Sequence, residues 1–381
     1  MASPVYFTNL RAGFENSLLT KIKRLAQAAG LEKIVRQKGL TAVKVHFGER
    51  GNTAFIRPLL VRPVVDALLE AGARPFITDS GTLYPGTRGN AVDHLNTAIL
   101  NGFAYSVIGA PLIIADGLDG HDEAAVQVNL MHFEQVYIGS AVVRADSLVS
   151  LAHFKLHEAT GFGGAIKNVG MGTASRKGKM AQHSEVAPEV ISQKCLGCGV
   201  CLDQCAHGAI ALVERPPDVP AAEAGVTKVM RIDQELCAGC ARCIHACPQD
   251  ALSINWEKNL PKFMEKMVEY TAGALKGKEK RSLFINFLTQ ISPACDCYPF
   301  ADAPIVGDIG ITASVDPVAI DQACADLVNS QPHLESSCLK GIAMPCTDKI
   351  RAVYPHIDWE HQLYYASELG MGSREYELVT V

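Results

Sequence analysis

Two cysteine runs in the middle of the chain repeat one spacing, C-x2-C-x2-C-x3-C. The runs contain Cys195, Cys198, Cys201 and Cys205, followed by Cys237, Cys240, Cys243 and Cys247. Three thiolates at this spacing can wrap around one iron–sulfur cube, while the fourth points away toward a second cube. Because bacterial two-cluster ferredoxins use the same run, the sequence predicts two 4Fe-4S clusters.

The predicted ligand sets are crossed, since the fourth cysteine of each run serves the other cluster. One cluster is expected on Cys195, Cys198, Cys201 and Cys247, and the other on Cys237, Cys240, Cys243 and Cys205. Pro248 follows its cysteine as the motif expects, whereas Ala206 stands at the matching place after the first run. Zinc sites or a disulfide framework are the alternatives, but zinc normally takes its ligands from two C-x2-C pairs.

Lysine and histidine recur at a two-residue spacing in two other segments. They are Lys44 and His46, in a predicted strand over residues 42–47, and His153, Lys155 and His157, in a second predicted strand. The period of a strand places each group on one face. The residues either lie on exposed faces of half-buried strands or, if both faces are covered, need partners and mark a site.

This set supplies candidate catalytic residues and a candidate metal site. Lys44, His46 and His153 are the catalytic candidates, because lysine can neutralise an anionic substrate and histidine can donate a proton. The ligand types of His46, Glu49, His153 and His157 also suit a further metal ion.

Residues 161–172 are rich in glycine, which permits close approach of a ligand to the backbone. The stretch fits neither the Walker pattern nor G-x-G-x-x-G. Nearby basic residues favour an anion such as phosphate or carboxylate, and a mobile solvated loop is the alternative. The candidate ligand-binding residues are Asp79, Lys155, Gly163, Gly164, Lys167 and Asn168.

Cys295 and Cys297 form a C-x-C pair that suits either a metal or a redox couple, with a structural role as the alternative. Cys324, Cys338 and Cys346 are scattered, and structural thiols are expected there.

The elements that position these residues alternate between strand and helix patterns, as in an α/β layer with a largely parallel sheet. Strands are predicted at 42–47, 74–79, 111–115, 147–153 and 305–313, and helices at 59–71, 90–100, 256–275 and 316–329. Residues 281–288 fit either type. A ligand is expected outside the carboxyl ends of such strands.

Because the α/β pattern resumes after the cysteine runs, the sequence predicts a discontinuous Rossmann-like layered domain with an inserted α+β ferredoxin-like domain that holds the two clusters. Residues 1–187 and 257–381 are expected to form the two parts of the α/β domain, and residues 188–256 the insert.

Composition narrows the classes of function. With 381 residues, 48% of them hydrophobic, and a net charge of −5, the chain can bury large cores and does not favour a nucleic-acid partner. It has neither a recognisable signal peptide nor an apolar stretch of about 20 residues that could cross a bilayer. Thirteen cysteines then favour a reducing cytoplasm and a low-oxygen host.

Four groups of residues share a pattern with a known family: Lys44 to Asn52, Asp79 to Arg88, residues 161–172, and Asp308 to Asp321. Together they resemble the family called domain of unknown function 362. The resemblance implies a split α/β domain with a ferredoxin module inserted in its middle. It also implies that Lys44, His46, Asp79, Lys167 and Asn168 form a site, but it supplies no reaction.

Two functions are consistent with these residues. The first is an iron–sulfur electron-transfer protein that relays low-potential electrons through both clusters to a partner oxidoreductase. The alternative is a reductase whose small anionic substrate or cofactor binds near Lys44, His46 and Lys167. Whether the chain is an enzyme, and its oligomeric state, stay open at this point.

Overall fold

The computed structural model describes residues 2–84, 86–183, 187–237, 239–253, 259–343 and 345–381. Its strands are β1 (Ser3–Asn9), β2 (Leu40–Val45), β3 (Arg74–Asp79), β4 (Leu112–Ile114), β5 (Glu123–Gln127), β6 (Gln135–Gly139), β7 (Ser147–His153), β8 (Lys155–His157), β9 (Gly161–Gly163), β10 (Glu189–Val190), β11 (Ile210–Glu214), β12 (Lys228–Ile232), β13 (Leu252–Ser253), β14 (Ser282–Leu288), β15 (Gly310–Ser314) and β16 (Tyr376–Thr380).

The helices alternate with these strands along most of the chain. They are α1 (Leu18–Ala28), α2 (Leu31–Ile34), α3 (Arg62–Glu70), α4 (Ala91–Leu100), α5 (Tyr105–Ile108), α6 (Ser140–Arg144), α7 (Ala165–Gly170), α8 (Arg176–His183), α9 (Val200–Asp203), α10 (Arg242–Ala246), α11 (Leu260–Leu275), α12 (Pro317–Ser330), α13 (Lys349–Val353) and α14 (His361–Glu368). None of these described helices has the length and apolar content that a bilayer span requires.

A large, mostly parallel sheet forms the centre of the protein. Its eight strands follow the order β16-β1-β15-β14-β7-β2-β3-β4. Only β15 runs antiparallel to both of its neighbours, β1 and β14, whereas the remaining pairs are parallel. The prediction of an α/β fold with a largely parallel sheet is therefore confirmed.

Helices cover both faces of this sheet, because its strands are apolar on both sides. In β2, Val43 and Val45 contribute to the core beneath α1 and α3, whereas Ala42 contributes to the core on the opposite face. The second core contains residues of α7, α11, α12 and α14. Alternation of this kind follows from the two-residue period of a strand.

The sequence pattern predicted most strands and helices of the main domain. The predicted and observed elements differ mainly in where they begin and end. The strand predicted at 42–47 ends at Val45, and the one predicted at 305–313 begins only at Gly310. The ambiguous residues 281–288 form β14. The helix predicted from 256 begins at Leu260 in the structure, and its predicted first residues, 256–258, lie outside the described residues.

Residues 187–237 and 239–253, here called the cysteine-rich region, form two small antiparallel sheets, β10–β13 and β11–β12. Their described strands do not join the main sheet. A separate apolar core lies around the cysteines, and Leu83 and Met180 of the main domain pack into it. The predicted limit at residue 256 lies outside the described residues, so the domain limits stay a prediction.

Gly161 offers a test of packing between β9 and the segment before α14. Its φ is +75°, and a Cβ there would lie 2.3 Å from Trp359 Cβ. Gly161→Ala should lower the free energy of unfolding by about 2–5 kcal/mol, the sum of left-handed strain and overpacking. Chemical denaturation measures the loss.

Gly370→Ala is the matched control, because Gly370 has φ of +70° and open space around its Cα. It should cost only the backbone term, about 1–2 kcal/mol. Equal losses in the two variants would contradict the predicted clash with Trp359.

Candidate functional site

The described residues of the two cysteine runs share several backbone features. Gly197 and Gly199 in the first run, and Gly239 and Ala241 in the second, all have positive φ. Backbone amides reach sulfur at matching positions, since Ala209 donates to Cys205 Sγ and Ala251 donates to Cys247 Sγ, each at 3.3 Å. Such bonds stabilise thiolate character and tune a bound cluster.

Four thiols of the predicted first ligand set line one small cavity with apolar walls. They are Cys195, Cys198, Cys201 and Cys247. Burial raises the pKa of Cys201 to about 11, and the neighbouring Cys247 and Cys195 add to this rise. A cation bound beside Cys201 would favour its thiolate form.

The thiols of the other predicted set are also neighbours. Burial raises the pKa of Cys243 to about 12, with further contributions from Cys240 and Cys237 and a smaller one from Cys205. At the first place, four thiols, apolar walls and an amide donor to sulfur fit the requirements of a 4Fe-4S cluster, and at the second place neighbouring thiols and an amide donor to Cys205 fit them in part.

A site for a single metal ion needs ligands that lie closer together than those of a cluster. Among the described residues, no three His, Cys, Asp or Glu side chains are gathered closely enough to hold a single ion. Cluster ligands each bind a different iron of the cube and so stand farther apart than the ligands of one ion. The further metal site predicted on His46, Glu49, His153 and His157 is not gathered in this structure.

A buried polar site lies at the carboxyl ends of β2 and β3. Lys44 Nζ, on a side chain only 1% exposed, is 3.0 Å from Asp79 Oδ1 and donates to Asn168 Oδ1 at 2.9 Å. Burial lowers the pKa of Lys44, and Asp79 partly offsets this. Gly172 makes room for the amine, because a Cβ there would lie 2.5 Å from Lys44 Nζ. Lys44 and Asp79 thus form a buried ion pair, and Asn168 holds the Lys44 amine in place.

Arg88 connects this pair to the loop after β2. Its guanidinium lies 3.1 Å from Glu49 and 3.6 Å from Asp79. Although burial alone would raise it, Lys44 holds the pKa of Asp79 well below its ordinary value, and His94 assists. Sequence reasoning did not single out Arg88 or His94, although Arg88 ended one of the motifs that carried the family resemblance.

The two candidate proton donors have different surroundings. His46 Nδ1 accepts the Gly48 amide at 2.9 Å, and burial together with Arg88 places the pKa of His46 well below its ordinary value. A neutral imidazole of this kind is a weak acid. His153 faces acceptors at both ring nitrogens, Asp296 at 2.9 Å and the Thr289 carbonyl at 2.8 Å. His153 therefore positions the Asp296 carboxylate.

The expected single strand over His153, Lys155 and His157 is wrong, because β7 ends at His153 and Lys155–His157 is β8, paired with β9. Lys155 Nζ still lies 3.7 Å from Asp296 Oδ2, which His153 also contacts. Burial would raise the pKa of Asp296, but His153 and Lys155 hold it well below the ordinary value.

Two amides of the glycine-rich stretch already bond to a carboxylate of the chain. The amides of Ala165 and Ile166 donate to the Asp321 carboxylate at 2.7 and 3.0 Å, and a Cβ on Gly164 would collide with that carboxylate. Burial raises the pKa of Asp321 to about 6. Gly164 thus admits Asp321 to the start of α7, and its role in ligand binding stays a prediction.

Gly163 lies beside the side chains of two lysines. A Cβ there would lie 3.2 Å from both Lys155 Nζ and Lys167 Cδ, so its absence lets two lysines approach each other. Both lysines lower the pKa of Cys295, which is buried, and Lys167 also opposes the rise in the pKa of Cys297, which is half-buried. The structure thus brings Lys155, Lys167 and the C-x-C pair together at this edge of the sheet.

The segment Thr82–Tyr84 connects this edge to the cysteine-rich region. Leu83 packs into the core around the cysteines, and the backbone of Thr82 and Leu83 lies close enough to His245 to oppose the lowering of its pKa by burial. The Tyr84 hydroxyl donates to the Cys297 carbonyl at 3.3 Å. Leu83 and Tyr84, which are consecutive in the chain, therefore contact the cysteine-rich region and the C-x-C pair, respectively.

A cavity of about 550 Å³ lies between the main domain and the cysteine-rich region. Arg176 lines it from one side, and Arg242 and His245 line it from the other. The Nε atoms of Arg176 and Arg242 are buried and have no hydrogen-bond acceptor within the described part of the chain. Asp93, Asp119 and Asp250 also line the cavity, so its walls beside the second cysteine run carry both positive and negative groups.

Lys179 of α8 gives a pH prediction, because burial lowers its pKa from 10.5 to about 8. The unfolded chain keeps this proton to a higher pH, so stability should rise between about pH 8 and 10, by on the order of 3 kcal/mol for the full shift. Lys179→Met should flatten this slope in anaerobic denaturation series.

Lys177→Met, on the same helix, is the control and should keep the wild-type slope; the Lys177 amine lies 3.7 Å from the centre of the Tyr137 ring. An unchanged slope in Lys179→Met would contradict the prediction.

Comparison with known proteins gives one family match. A family model described as Domain of unknown function (DUF362) matches residues 41–326, which is more than half of the chain. None of the curated proteins compared with the chain matches it significantly.

Two solved structures are similar to parts of the chain. The lactate racemase apoprotein from Thermoanaerobacterium thermosaccharolyticum has 11% sequence identity and a TM-score of 0.37, over 75% of this chain and 51% of that chain. A Thermotoga maritima protein from a structural genomics consortium has 14% identity and a TM-score of 0.31, over 44% and 41%. The chain therefore spans about half the length of the first of these proteins.

Proposed function

This chain belongs to the domain of unknown function 362 family, and because that description names no reaction, we propose from its own residues that it is an iron–sulfur electron-transfer protein. It relays low-potential electrons through two 4Fe-4S clusters, held in a ferredoxin-like insert, to a partner oxidoreductase. The cavity lined by Cys195, Cys198, Cys201 and Cys247 carries the proposal, because it gathers the crossed set across two runs.

The residues of the cysteine-rich region would hold and tune the clusters. Apolar side chains such as Met230 and Leu252 exclude water from the first cavity, and the amides of Ala209 and Ala251 donate to sulfur. Bound 4Fe-4S clusters each accept or release one electron. Cys201 of one set contributes to the electrostatic surroundings of Cys243 of the other, so the two sets are near neighbours.

Anaerobic iron and sulfide analysis, followed by a redox titration of the visible and electron paramagnetic resonance spectra, tests this function. About eight irons per chain, reduced and reoxidised reversibly, are expected from two cubes. Cys338→Ser, which changes an exposed cysteine outside both runs, should have the same iron content. Fewer than about seven irons, or irreversible reduction, would overturn the proposal.

A second candidate, a reductase acting on a small anionic molecule, is favoured by the contacts of Thr82–Tyr84. That segment touches His245 between two predicted cluster ligands and also touches Cys297 in the polar site. Electrons delivered to the insert would have a short route to the edge where Lys155 and Lys167 lie. The lysines would neutralise the substrate, and burial would exclude water.

Calorimetric binding of phosphate and of small carboxylates tests this candidate. Lys167→Met should weaken binding about tenfold or more, the loss expected for one charge-assisted hydrogen bond. Lys280→Met, an exposed change, should leave the affinity unchanged. If Arg242→Met abolishes binding and Lys167→Met does not, the anion occupies the cavity instead, and the site near Lys167 is rejected.

A further inference from the structure

The C-x-C pair lies in a tight turn. The Tyr298 amide donates to the Cys295 carbonyl at 3.1 Å, and the Cys297 amide donates to Cys295 Sγ at 3.4 Å. Two extended residues span about 7 Å at most, and a turn shortens that distance into the range of about 4.4–6.8 Å found between the Cα atoms of disulfides. The backbone therefore permits a bond between the two sulfurs.

The main domain holds this turn in place from two sides. The Asp296 carbonyl accepts the Glu49 amide at 2.9 Å, and the Cys297 carbonyl accepts the Tyr84 hydroxyl at 3.3 Å. The Asp296 side chain, between the cysteines, is fixed by His153 at 2.9 Å. Closing a disulfide would then require rotation of the two thiol side chains with little movement of the loop.

The surroundings suit a thiol that changes its oxidation state. Cys295 is 3% exposed, and the half-buried Cys297 lies beside it. A hydrogen bond with Cys297 lowers the pKa of Cys295 and, against the effect of burial, Lys167 and Lys155 lower it further. Cations beside a thiolate promote thiol–disulfide exchange. A purely structural cysteine would not need them.

We propose that Cys295 and Cys297 form a reversible dithiol–disulfide centre at the polar edge of the sheet. Reduction breaks the S–S bond, consumes two electrons and one proton, and leaves a thiolate on Cys295 and an S–H group on Cys297. The ammonium of Lys155, which interacts with both cysteines, is placed to deliver this proton. Oxidation reverses each of these changes.

The source of the electrons rests on the proposed function. Two one-electron clusters together hold the pair of electrons that one disulfide requires. Tyr84 contacts Cys297, and its neighbour Leu83 packs among the predicted cluster ligands. The centre would thus convert single-electron delivery into a two-electron store beside the site for an anionic substrate.

A thiol titration tests the centre itself. The iron-loaded protein is equilibrated anaerobically in dithiothreitol buffers of increasing potential, then quenched in acid and alkylated. The mass of the peptide containing Cys295 and Cys297 is measured by mass spectrometry. Both cysteines should be alkylated at the reducing end and linked at the oxidising end. The transition should follow a two-electron slope, about 30 mV for a tenfold change in ratio.

Matched variants sharpen this titration. Cys338→Ser should leave the midpoint unchanged, whereas Cys297→Ser should leave Cys295 free across the range. Lys155→Met should shift the equilibrium toward the disulfide, because it removes a cation that stabilises the reduced thiolate. Wild-type thiols that stay separately alkylated throughout, or that are protected by a bound metal ion, would overturn the inference.

A second measurement separates this inference from the proposed function. After photoreduction, the paramagnetic signal of reduced clusters should decay in the wild type as the Cys295–Cys297 disulfide opens, and it should persist in Cys297→Ser. Persistence of the signal in both proteins would reject electron exchange between the centres. A chain without iron that still shows the two-electron thiol transition would reject the proposed function alone.

Discussion

The double variant Cys195→Ser/Cys247→Ser is expected to retain about four irons per chain, whereas Cys195→Ser/Cys205→Ser should retain none. The first variant removes one cysteine from each run but damages only one crossed ligand set. The second variant changes two cysteines of a single run and damages both sets. Anaerobic iron analysis with spectroscopy distinguishes the two results.

The opposite pattern would contradict the crossed assignment. If each run held its own cluster, Cys195→Ser/Cys205→Ser would keep about four irons and Cys195→Ser/Cys247→Ser would lose both clusters. The cavity that joins Cys247 to three cysteines of the other run favours the crossed arrangement. Because both variants replace two thiols by hydroxyls, general destabilisation should affect them similarly.

Replacement of Asp79 by asparagine is expected to lower the free energy of unfolding by about 3–5 kcal/mol. It would leave Lys44 and Arg88 as buried cations, on side chains that are 1% and 3% exposed, without the carboxylate 3.0 Å from Lys44. The pair is not a strong net source of stability, since both charges lose their hydration. Breaking it is nevertheless costly, because the remaining charge loses its partner. Denaturant titration measures the change.

An exposed ion pair supplies the control for this prediction. Lys23 and Glu70 are 2.7 Å apart, but their side chains are 34% and 58% exposed. Glu70→Gln should therefore cost less than about 1 kcal/mol. The double variant Lys44→Met/Asp79→Leu should recover part of the loss in Asp79→Asn. A loss in Asp79→Asn no larger than in Glu70→Gln would show that Lys44 is not held as a buried cation.

Local sequence pattern was sufficient where neighbouring residues determine the outcome. The strand at 74–79 was predicted with its observed bounds, and Asp316 accepts from the amides of Val318 and Ala319 at the start of α12 as expected. Lys44 and Asp79 were placed near one edge of the sheet because the carboxyl ends of parallel strands meet there.

Contacts between distant residues were not predictable in the same way. β1 and β16 pair although they lie at opposite ends of the sequence. Gly163 and Gly164 were predicted to bind a ligand because glycine permits close approach to the backbone. The sequence could not reveal that the distant Asp321 fills the space beside Gly164. Asp296 went unnoticed because its two partners, His153 and Lys155, are far away in the sequence.

The packing of Leu83 and Met180 into the core around the cysteines limits how the protein can be divided. Excision of the cysteine-rich region would leave these two apolar side chains in water and open the wall of the cavity lined by Arg176. The excised region would in turn expose the surface that they cover. A fragment prepared for study should therefore keep both parts, and a graft of the cysteine-rich region onto another protein would need a replacement for this apolar contact.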